Sequence, residues 1–273
     1  MKPNALTAQK AIKANAKHSN NIVFDNNTAK TFNQYTPAYV VSNENVHDVV
    51  QRFMPKYASS VLTVAASGDH PLICRLNGAK NITTFDISYN ARVIMDVKNA
   101  AIHQLNIGEY SQLLENLYHT QNIPSVPHMD QIVPRLKSTV RRYIQQTNGM
   151  RLFSNGYGPQ SYARYAIMPS KYTKLQQMEQ KPFKFIWSGI KDLDLHDNMY
   201  DFVHLSNVLD YVPYDDLTPI IKNIQNHVNI GGRIVILSMT SMSTKICLQY
   251  LIKRQINWKM LESGRLNVWE RIR

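Results

Sequence analysis

Three short polar segments each follow an apolar, β-branched run, and each carries residues suited to holding a nucleoside. The first is the turn Ala65-Ala66-Ser67-Gly68-Asp69, whose small side chains let the backbone approach a ligand. The second is Asp86, the last residue of the run Asn81–Asp86. An acid there is placed to accept hydrogen bonds from ribose hydroxyls. The third is Asp192, whose carboxylate suits an adenine amino group.

Each segment also has a simpler interpretation when it is taken alone. A single glycine between a strand and a helix is a common tight turn. Asp86 or Ser88 could cap the helix that begins near Tyr89. Asp192 could be a solvated loop acid. The three segments together favour a nucleoside cofactor, because each follows a strand and the carboxyl ends of parallel strands meet at one edge of a sheet.

The elements around these segments predict a parallel βαβ arrangement. The apolar run over 60–66 predicts a buried strand, and Leu72–Leu76 predicts a helix that Gly78 ends. A second strand over 81–86 and a long amphipathic helix from Tyr89 to about Gln104 follow. A further helix is predicted within 42–56, capped by Ser42, Asn43 or Asn45.

The second half of the chain returns to the same alternation. Strands are predicted at Lys184–Trp187, at 200–206 and at 233–238, with a helix over 217–228 that Gly231-Gly232 ends. The stretches 257–262 and 266–272, which flank Ser263-Gly264-Arg265, predict a β-hairpin. Residues 106–182 show no clear strand and predict a helical insert. The fold class predicted is α/β: a Rossmann-like, doubly wound, seven-stranded and mostly parallel sheet with a C-terminal antiparallel hairpin.

Composition narrows the class of protein. The 273 residues include 44% hydrophobic and 18% charged residues, a balance that excludes wholesale disorder. Two distant cysteines cannot form a disulfide framework.

The polar, basic start shows no secretory signal, and no apolar stretch is long enough to span a bilayer, so a cytoplasmic location is expected. We divide the chain into an arm, 1–41, and a cofactor-binding domain, 42–273, with the insert at about 106–182.

The glycine content of the first turn separates two nucleoside cofactors. A dinucleotide pyrophosphate favours a Gly-x-Gly-x-x-Gly turn, and this turn carries only Gly68. A cofactor without phosphates needs that close approach less. The sequence therefore favours S-adenosylmethionine over NAD.

The segments 61–68, Thr84-Phe85-Asp86, 200–209 and 229–236 resemble the class I S-adenosylmethionine-dependent methyltransferases. The resemblance covers about 45–105 and 184–273. Within that superfamily, the sequences of segments 61–69, 85–91 and 205–212 are similar to those of the betaine-lipid-type 3-amino-3-carboxypropyl transferases. Those enzymes transfer the aminocarboxypropyl arm of S-adenosylmethionine rather than its methyl group. Residues 1–41 show no match to the N-terminal segment of that branch.

The resemblance and the strand positions together assign candidate roles. The predicted cofactor-binding residues are Ala66, Ser67, Gly68, Asp86, Ile87, Ile190, Lys191, Asp192, Ser206 and Asn207. Asp210 and Tyr211 are the candidate catalytic residues, because they follow the active-site strand by about one helical turn and could take a proton from the acceptor. Each could equally be structural, Asp210 as a cap and Tyr211 as packing. No metal site is expected, because His70 and Cys74 are too few ligands for a closed site.

Charge suggests the kind of partner. The formal net charge is +12, and basic residues interleaved with tyrosines are concentrated within 131–184. Such a surface suits an anionic lipid headgroup, RNA stacking or a simple solvated cap over the site. We expect an anionic or amphipathic acceptor, with membrane-surface contact favoured over nucleic acid. The function predicted is S-adenosylmethionine-dependent transfer of an aminocarboxypropyl group to a lipid or small molecule. The alternatives are methyl transfer to a small molecule or RNA, and a non-catalytic nucleic-acid-binding relative.

Overall fold

A seven-stranded sheet forms the centre of the molecule. The computed structural model describes residues 36–120, 123, 126–147, 151–154, 164–237 and 257–273. The strands are β1 (Ala38–Tyr39), β2 (Ser60–Val64), β3 (Asn81–Asp86), β4 (Phe153–Ser154), β5 (Lys184–Trp187), β6 (Tyr200–His204), β7 (Val228–Leu237), β8 (Trp258–Glu262) and β9 (Leu266–Arg271). The large sheet has the order β5-β3-β2-β6-β7-β9-β8. Strands β5, β3, β2, β6 and β7 pair in parallel, and β9 pairs antiparallel with both β7 and β8.

This order is that of a Rossmann-like, doubly wound sheet, which confirms the predicted fold class, including the C-terminal hairpin. The chain moves outward from β2 through β3 to β5 and then returns to add β6 and β7 on the other side of β2. The order therefore reverses between β2 and β6. In open parallel sheets such a reversal opens a crevice at the carboxyl ends of the strands.

Helices cover the sheet and build the insert. They are α1 (Val46–Phe53), α2 (Asp69–Leu76), α3 (Tyr89–Ile102), α4 (Ile107–Thr120), α5 (Met129–Ile132), α6 (Ser138–Gln146), α7 (Arg164–Ile167), α8 (Pro169–Gln177) and α9 (Tyr214–Asn226). Two apolar clusters form the core: a larger one that includes α2, α3 and the insert, and a smaller one between β6, β7 and α9. Within the described ranges, no helix is long and apolar enough to cross a membrane.

Several element boundaries differ from the sequence-based expectation around the first turn. Strand β2 ends at Val64 rather than Ala66, because Ala66 has a positive φ of 46° that leaves the strand path. Helix α2 begins at Asp69 rather than Leu72. Pro71 fits there, since the amides of a first helical turn have no partner within the helix. The turn is therefore shorter than predicted.

The role predicted for Gly231-Gly232 is wrong. Helix α9 ends earlier, at Asn226, and β7 already begins at Val228, so both glycines lie inside that strand. The register against β6 is irregular there: Tyr200 pairs with Val228 and Phe202 with Arg233. Gly231 has φ 79°, and a Cβ on Gly232 would lie 2.8 Å from the Asn229 carbonyl oxygen. The two glycines therefore lie in a β-bulge of β7, a position where glycine is common within strands.

The insert contains a short strand that the sequence did not indicate. Strand β4 pairs in parallel with β1, and the amide of Ala38 donates to the carbonyl of Leu152 at 3.1 Å. This pairing ties the end of the predicted arm to the insert, and Val40 and Val41 are buried in the larger core cluster. Two residues are too few to give a strand pattern. The rest of the arm, 1–35, lies outside the described residues.

Gly68 packs against α3, which leads to a stability prediction. Its φ is 80°, and a Cβ there would lie 2.7 Å from the Cα of Met95. We expect Gly68→Ala to lower the free energy of unfolding by about 2–4 kcal/mol, since backbone strain and overpacking add. Gly78→Ala is the matched control, because Gly78 also has a positive φ, 103°, but nothing lies within 4 Å. Urea denaturation measures both variants, and equal losses would exclude the packing term.

Candidate active site

A cavity of about 380 Å³ opens at the carboxyl ends of β2, β3 and β6. Its volume falls within the range of small-molecule sites, roughly 300–1,000 Å³. Its walls come from the turn after β2, the end of β3, the loops after β5 and β6, and the chain before α1. The crevice expected from the strand order is therefore present and partly roofed.

The cavity brings together the predicted cofactor residues with one exception. Those that line it are Ala66, Ser67, Asp86, Ile87, Ile190, Lys191, Asp192, Ser206 and Asn207. Gly68 does not line it; the residue shapes the turn and packs on Met95 instead. The candidate catalytic residues separate, because Tyr211 lines the cavity and Asp210 does not.

Asp86 ends β3 at the cavity wall. Its Oδ2 accepts from the amide of Ala66 and its Oδ1 from the amide of Ser88, each at 2.9 Å. Burial raises the pKa of Asp86 to about 6, and these amides oppose the rise. Helix α3 is capped by Ser88, whose hydroxyl accepts from the Asn90 amide, so Asp86 is not the cap. The carboxylate keeps lone pairs for two hydroxyl donors.

The loop after β5 adds an apolar and polar wall. Ile190–Asp192 form a short 3₁₀ helix, in which Ile190 is buried while Lys191 and Asp192 are exposed. Lys191 ion-pairs with Asp216 at 2.9 Å. Ile87 is 39% exposed and extends the apolar wall near Gly189. This end of the cavity combines aliphatic side chains with the Asp192 carboxylate, a combination that suits a flat heteroaromatic ring with an amino group.

Ser206 and Tyr211 follow β6. Ser206 has a positive φ of 54°, an uncommon backbone for a non-glycine residue, and its hydroxyl donates to Glu44. The amide of the Asn207 side chain donates to the Tyr211 hydroxyl at 3.3 Å. Burial raises the pKa of Tyr211 to about 12, so its phenol keeps its proton at neutral pH. Tyr211 is thus equipped to donate a hydrogen bond rather than to accept a proton.

The roof consists of residues that the sequence analysis did not propose. Thr36–Tyr39 and Ser42–Glu44 line the cavity. The carbonyl of Thr36 accepts from the Asn90 side chain at 3.1 Å, and this segment continues into the β1–β4 pairing. No local pattern marks these residues, because their position depends on partners in α3 and the insert that are distant in sequence.

A buried ion pair holds the turn after β2 to the roof and the insert. Lys98 lies 2.6 Å from Asp69 Oδ1, and both side chains are fully buried. Asp69 Oδ2 accepts from the amide of Ser42 at 2.7 Å, and Oδ1 accepts from the Tyr165 hydroxyl at 2.5 Å. Burial would raise the pKa of Asp69, but Lys98 and these donors hold it below its usual value. One carboxylate therefore joins four parts of the chain.

A second buried cluster lies beside the cavity. His70, in the first turn of α2, and His204, at the end of β6, are each 1% exposed, and their ring centroids are 5.0 Å apart. His70 Nε2 lies 3.6 Å from Glu44 Oε2. Burial would raise the pKa of Glu44, but His70, His204 and the Ser206 hydroxyl hold it below its usual value. Burial lowers the pKa of His204 to about 3, which keeps that ring neutral.

The His70 and Cys74 pair weighed from the sequence does not form a ligand set. Cys74 is buried, and its burial raises the pKa of the thiol to about 12. A thiol that retains its proton is a poor metal ligand. His70 instead lies with Glu44 and His204, which neighbour it only in the folded chain.

Comparisons with known proteins concern the fold. No family model matches the chain, and no curated protein matches it. NodS, an N-methyltransferase from Bradyrhizobium japonicum solved with S-adenosyl-L-homocysteine, is 9% identical with a TM-score of 0.44 over 97% of this chain and 98% of its own. The O-methyltransferase NovP is 12% identical with a TM-score of 0.41 over 99% of this chain and 100% of its own. An rRNA methylase from Streptococcus thermophilus is 12% identical with a TM-score of 0.40, over 83% and 94% of the respective chains.

Proposed function

We propose that the chain is a transferase that binds S-adenosylmethionine in the cavity. The observation that carries this proposal is the convergence of the turn after β2, the acid that ends β3 and the Ile190–Asp192 helix on one cavity of suitable size. These are the segments in which the sequence pattern predicts a nucleoside cofactor. The structure of NodS contains S-adenosyl-L-homocysteine, and that ligand is an observation about NodS.

The residues suggest an orientation for the cofactor. Asp86 would accept hydrogen bonds from both ribose hydroxyls, since its carboxylate lies at the cavity wall. Ile87 and Ile190 would pack on the adenine faces, and Asp192 would accept from its amino group. Ser206 and Asn207 would face the methionine arm. The sulfonium would then lie next to Tyr211, at the far end of the cavity.

The group transferred is proposed to be 3-amino-3-carboxypropyl, and the support is the resemblance of 61–69, 85–91 and 205–212 to that branch of enzymes. A nucleophile on the acceptor would form a bond to the arm's γ carbon while the bond from that carbon to sulfur breaks. The electron pair would go to sulfur, and the proton that the acceptor loses would go to solvent water. Methyl transfer is the alternative, and it differs only in the carbon attacked. Alignment of nucleophile and carbon supplies much of the rate enhancement in either case.

Product analysis tests the cofactor and the transferred group together. The purified protein is incubated with S-adenosylmethionine and anionic lipid vesicles, and the nucleoside product is measured by mass spectrometry. Methylthioadenosine indicates aminocarboxypropyl transfer, and S-adenosylhomocysteine indicates methyl transfer. Absence of calorimetric heat on titration with S-adenosylmethionine, together with absence of either product, would contradict the transferase proposal.

The catalytic residues proposed from the sequence can be tested separately. We expect Tyr211→Phe to lower kcat by roughly 10²-fold while the affinity for S-adenosylmethionine is kept, because a positioned hydrogen-bond donor is lost. Asp210→Asn tests the neighbouring acid in the same assay. Because Asp210 does not line the cavity, we expect its effect to be smaller. Unchanged turnover in both variants would remove the pair from the mechanism.

The acceptor is proposed to be anionic or amphipathic, with contact at a membrane surface. Exposed basic side chains within and beside α6 and α8 support this, among them Lys137, Arg142, Lys174 and Lys181. The expected aromatic part of this surface is not borne out where it can be seen, because Phe153, Tyr165 and Tyr172 are buried in the core. The tyrosines at 157 and 162 lie outside the described residues. Flotation with anionic vesicles at low salt should carry the protein to the top of a gradient, and added salt should reverse it. An equal shift of RNA in the same buffer would favour the RNA alternative.

A further inference from the structure

The cluster of Glu44, His70 and His204 has the composition of a metal site. One carboxylate oxygen and one ring nitrogen from each histidine lie within 4.8 Å of one another. Two imidazoles and a carboxylate form a ligand set that zinc enzymes use with a fourth, open position. The three residues come from the chain before α1, the first turn of α2 and the end of β6. They are therefore held by elements packed in the core.

The two imidazoles carry an independent sign that a ligand belongs there. Within the part of the chain that the structure describes, none of the four ring nitrogens of His70 and His204 has a partner within 3.5 Å, although His70 Nε2 faces Glu44 Oε2 at 3.6 Å. Leaving a buried polar group unsatisfied costs stability, and buried polar groups in native proteins are nearly always paired. A bound cation would satisfy one nitrogen of each ring at once.

Distances and charge agree with a divalent transition metal. Tetrahedral zinc bonds of about 2.0–2.1 Å separate ligand atoms by roughly 3.4 Å. The 3.6 Å between His70 Nε2 and Glu44 Oε2 is close to that value. Since all three ligand atoms lie within 4.8 Å of one another, no separation would have to contract by more than about 1.4 Å. Glu44 is the acidic member of the set, so its carboxylate would offset part of the charge of a divalent cation.

The surroundings match what supports metal ligands elsewhere. The hydroxyl of Ser206 donates to Glu44 Oε1, which orients the carboxylate and leaves Oε2 toward His70. Glu44 and His70 line the cavity, whereas His204 lies behind them in the sheet. An ion held by the three would therefore have its remaining position on the cavity side.

We propose that Glu44, His70 and His204 bind one divalent transition-metal ion, with an open coordination position that faces the cavity. A mixed nitrogen and oxygen set favours zinc or iron over magnesium, which prefers oxygen ligands. In the proposed transferase, that position would take an oxygen or nitrogen of the acceptor. Binding of the ion itself does not depend on the cofactor, so the two proposals can fail separately.

The test measures metal binding in the absence of S-adenosylmethionine. The full chain is stripped with a chelator, reloaded with Zn²⁺ and assayed for zinc content and for affinity by competition with a chromophoric chelator. We expect one zinc per chain and a higher Tm, with no comparable effect of Mg²⁺. His70→Gln and His204→Gln should each weaken zinc binding by about 100-fold or more, because removing even an outer partner costs about 10–100-fold.

Two further variants separate loss of the site from loss of the fold. Glu44→Gln removes the least buried ligand and should weaken zinc binding while circular dichroism stays native. His196→Gln is the control, since His196 is an exposed histidine 3.3 Å from Asp194. It should bind zinc as the unmodified protein does. Zinc content well below one per chain, or equal affinity in the unmodified protein and all three cluster variants, would overturn the proposal.

Discussion

Replacement of Lys98 with methionine is expected to lower the free energy of unfolding by about 3–5 kcal/mol. The side chains of Lys98 and Asp69 are both fully buried, 2.6 Å apart. Removing the ammonium leaves the Asp69 carboxylate buried without its counter-charge, and that desolvation cost is the source of the large effect. Because Asp69 also holds the amide of Ser42, the roof of the cavity should loosen with it. Urea denaturation of the purified variant gives the change.

The double variant Lys98→Met/Asp69→Asn distinguishes the ion pair from simple packing. With both charges removed, the uncompensated carboxylate is gone, so we expect part of the lost stability to return. Lys191→Met is the surface control: Lys191 is 62% exposed beside Asp216, and solvent screens that pair. A loss for Lys98→Met no larger than that for Lys191→Met would contradict a structural role for the buried pair.

Replacement of Asp86 with asparagine is expected to weaken S-adenosylmethionine binding by about 100-fold or more. Two hydrogen bonds from ribose hydroxyls to a charged acceptor would be lost or weakened, each worth about 1.5–3 kcal/mol. Calorimetry measures the dissociation constant. Asp197→Asn is the control, because Asp197 is an exposed acid that does not line the cavity. Since Asp86 also accepts two backbone amides, unfolding must be measured in parallel.

The same carboxylate predicts how cofactor affinity depends on pH. The pKa of Asp86 is raised to about 6, so the group is ionised at pH 7.5 and becomes protonated as pH falls through 6. Because the ionised form accepts both hydroxyl hydrogen bonds, affinity should fall by up to about tenfold per pH unit below 6. The Asp86→Asn variant should lack that dependence. A pH-independent affinity between 5 and 7.5 in the unmodified protein would place the ribose elsewhere.

Local sequence pattern was sufficient for the framework of this fold. The β-branched runs at Ser60–Val64 and Asn81–Asp86, and the hairpin around Gly264, appear close to where the pattern placed them. Their periodicity reflects burial within each element, so neighbouring residues carry the signal. The carboxyl ends of parallel strands must share an edge, and for that reason the predicted cofactor residues other than Gly68 line one cavity.

Gly231-Gly232 shows where local pattern misleads. A glycine pair after an apolar helix normally marks the helix end. Here the pair lies within β7, because the register against β6 requires a bulge. The bulge arises from how β7 pairs with β6, so the two glycines by themselves do not indicate it.

Sequence alone determined that the chain forms a mostly parallel sheet, that strands and helices alternate along it, and that Asp86 ends β3. Only the tertiary structure decided that Lys98, which interrupts an apolar helix face, pairs with Asp69. It also decided that Thr36–Tyr39 and Ser42–Glu44 roof the cavity, and that Glu44 and His204 meet His70. The physical reason is range. Secondary structure follows from interactions between residues a few positions apart, whereas these groups lie tens of residues apart or more and become neighbours only when whole elements pack.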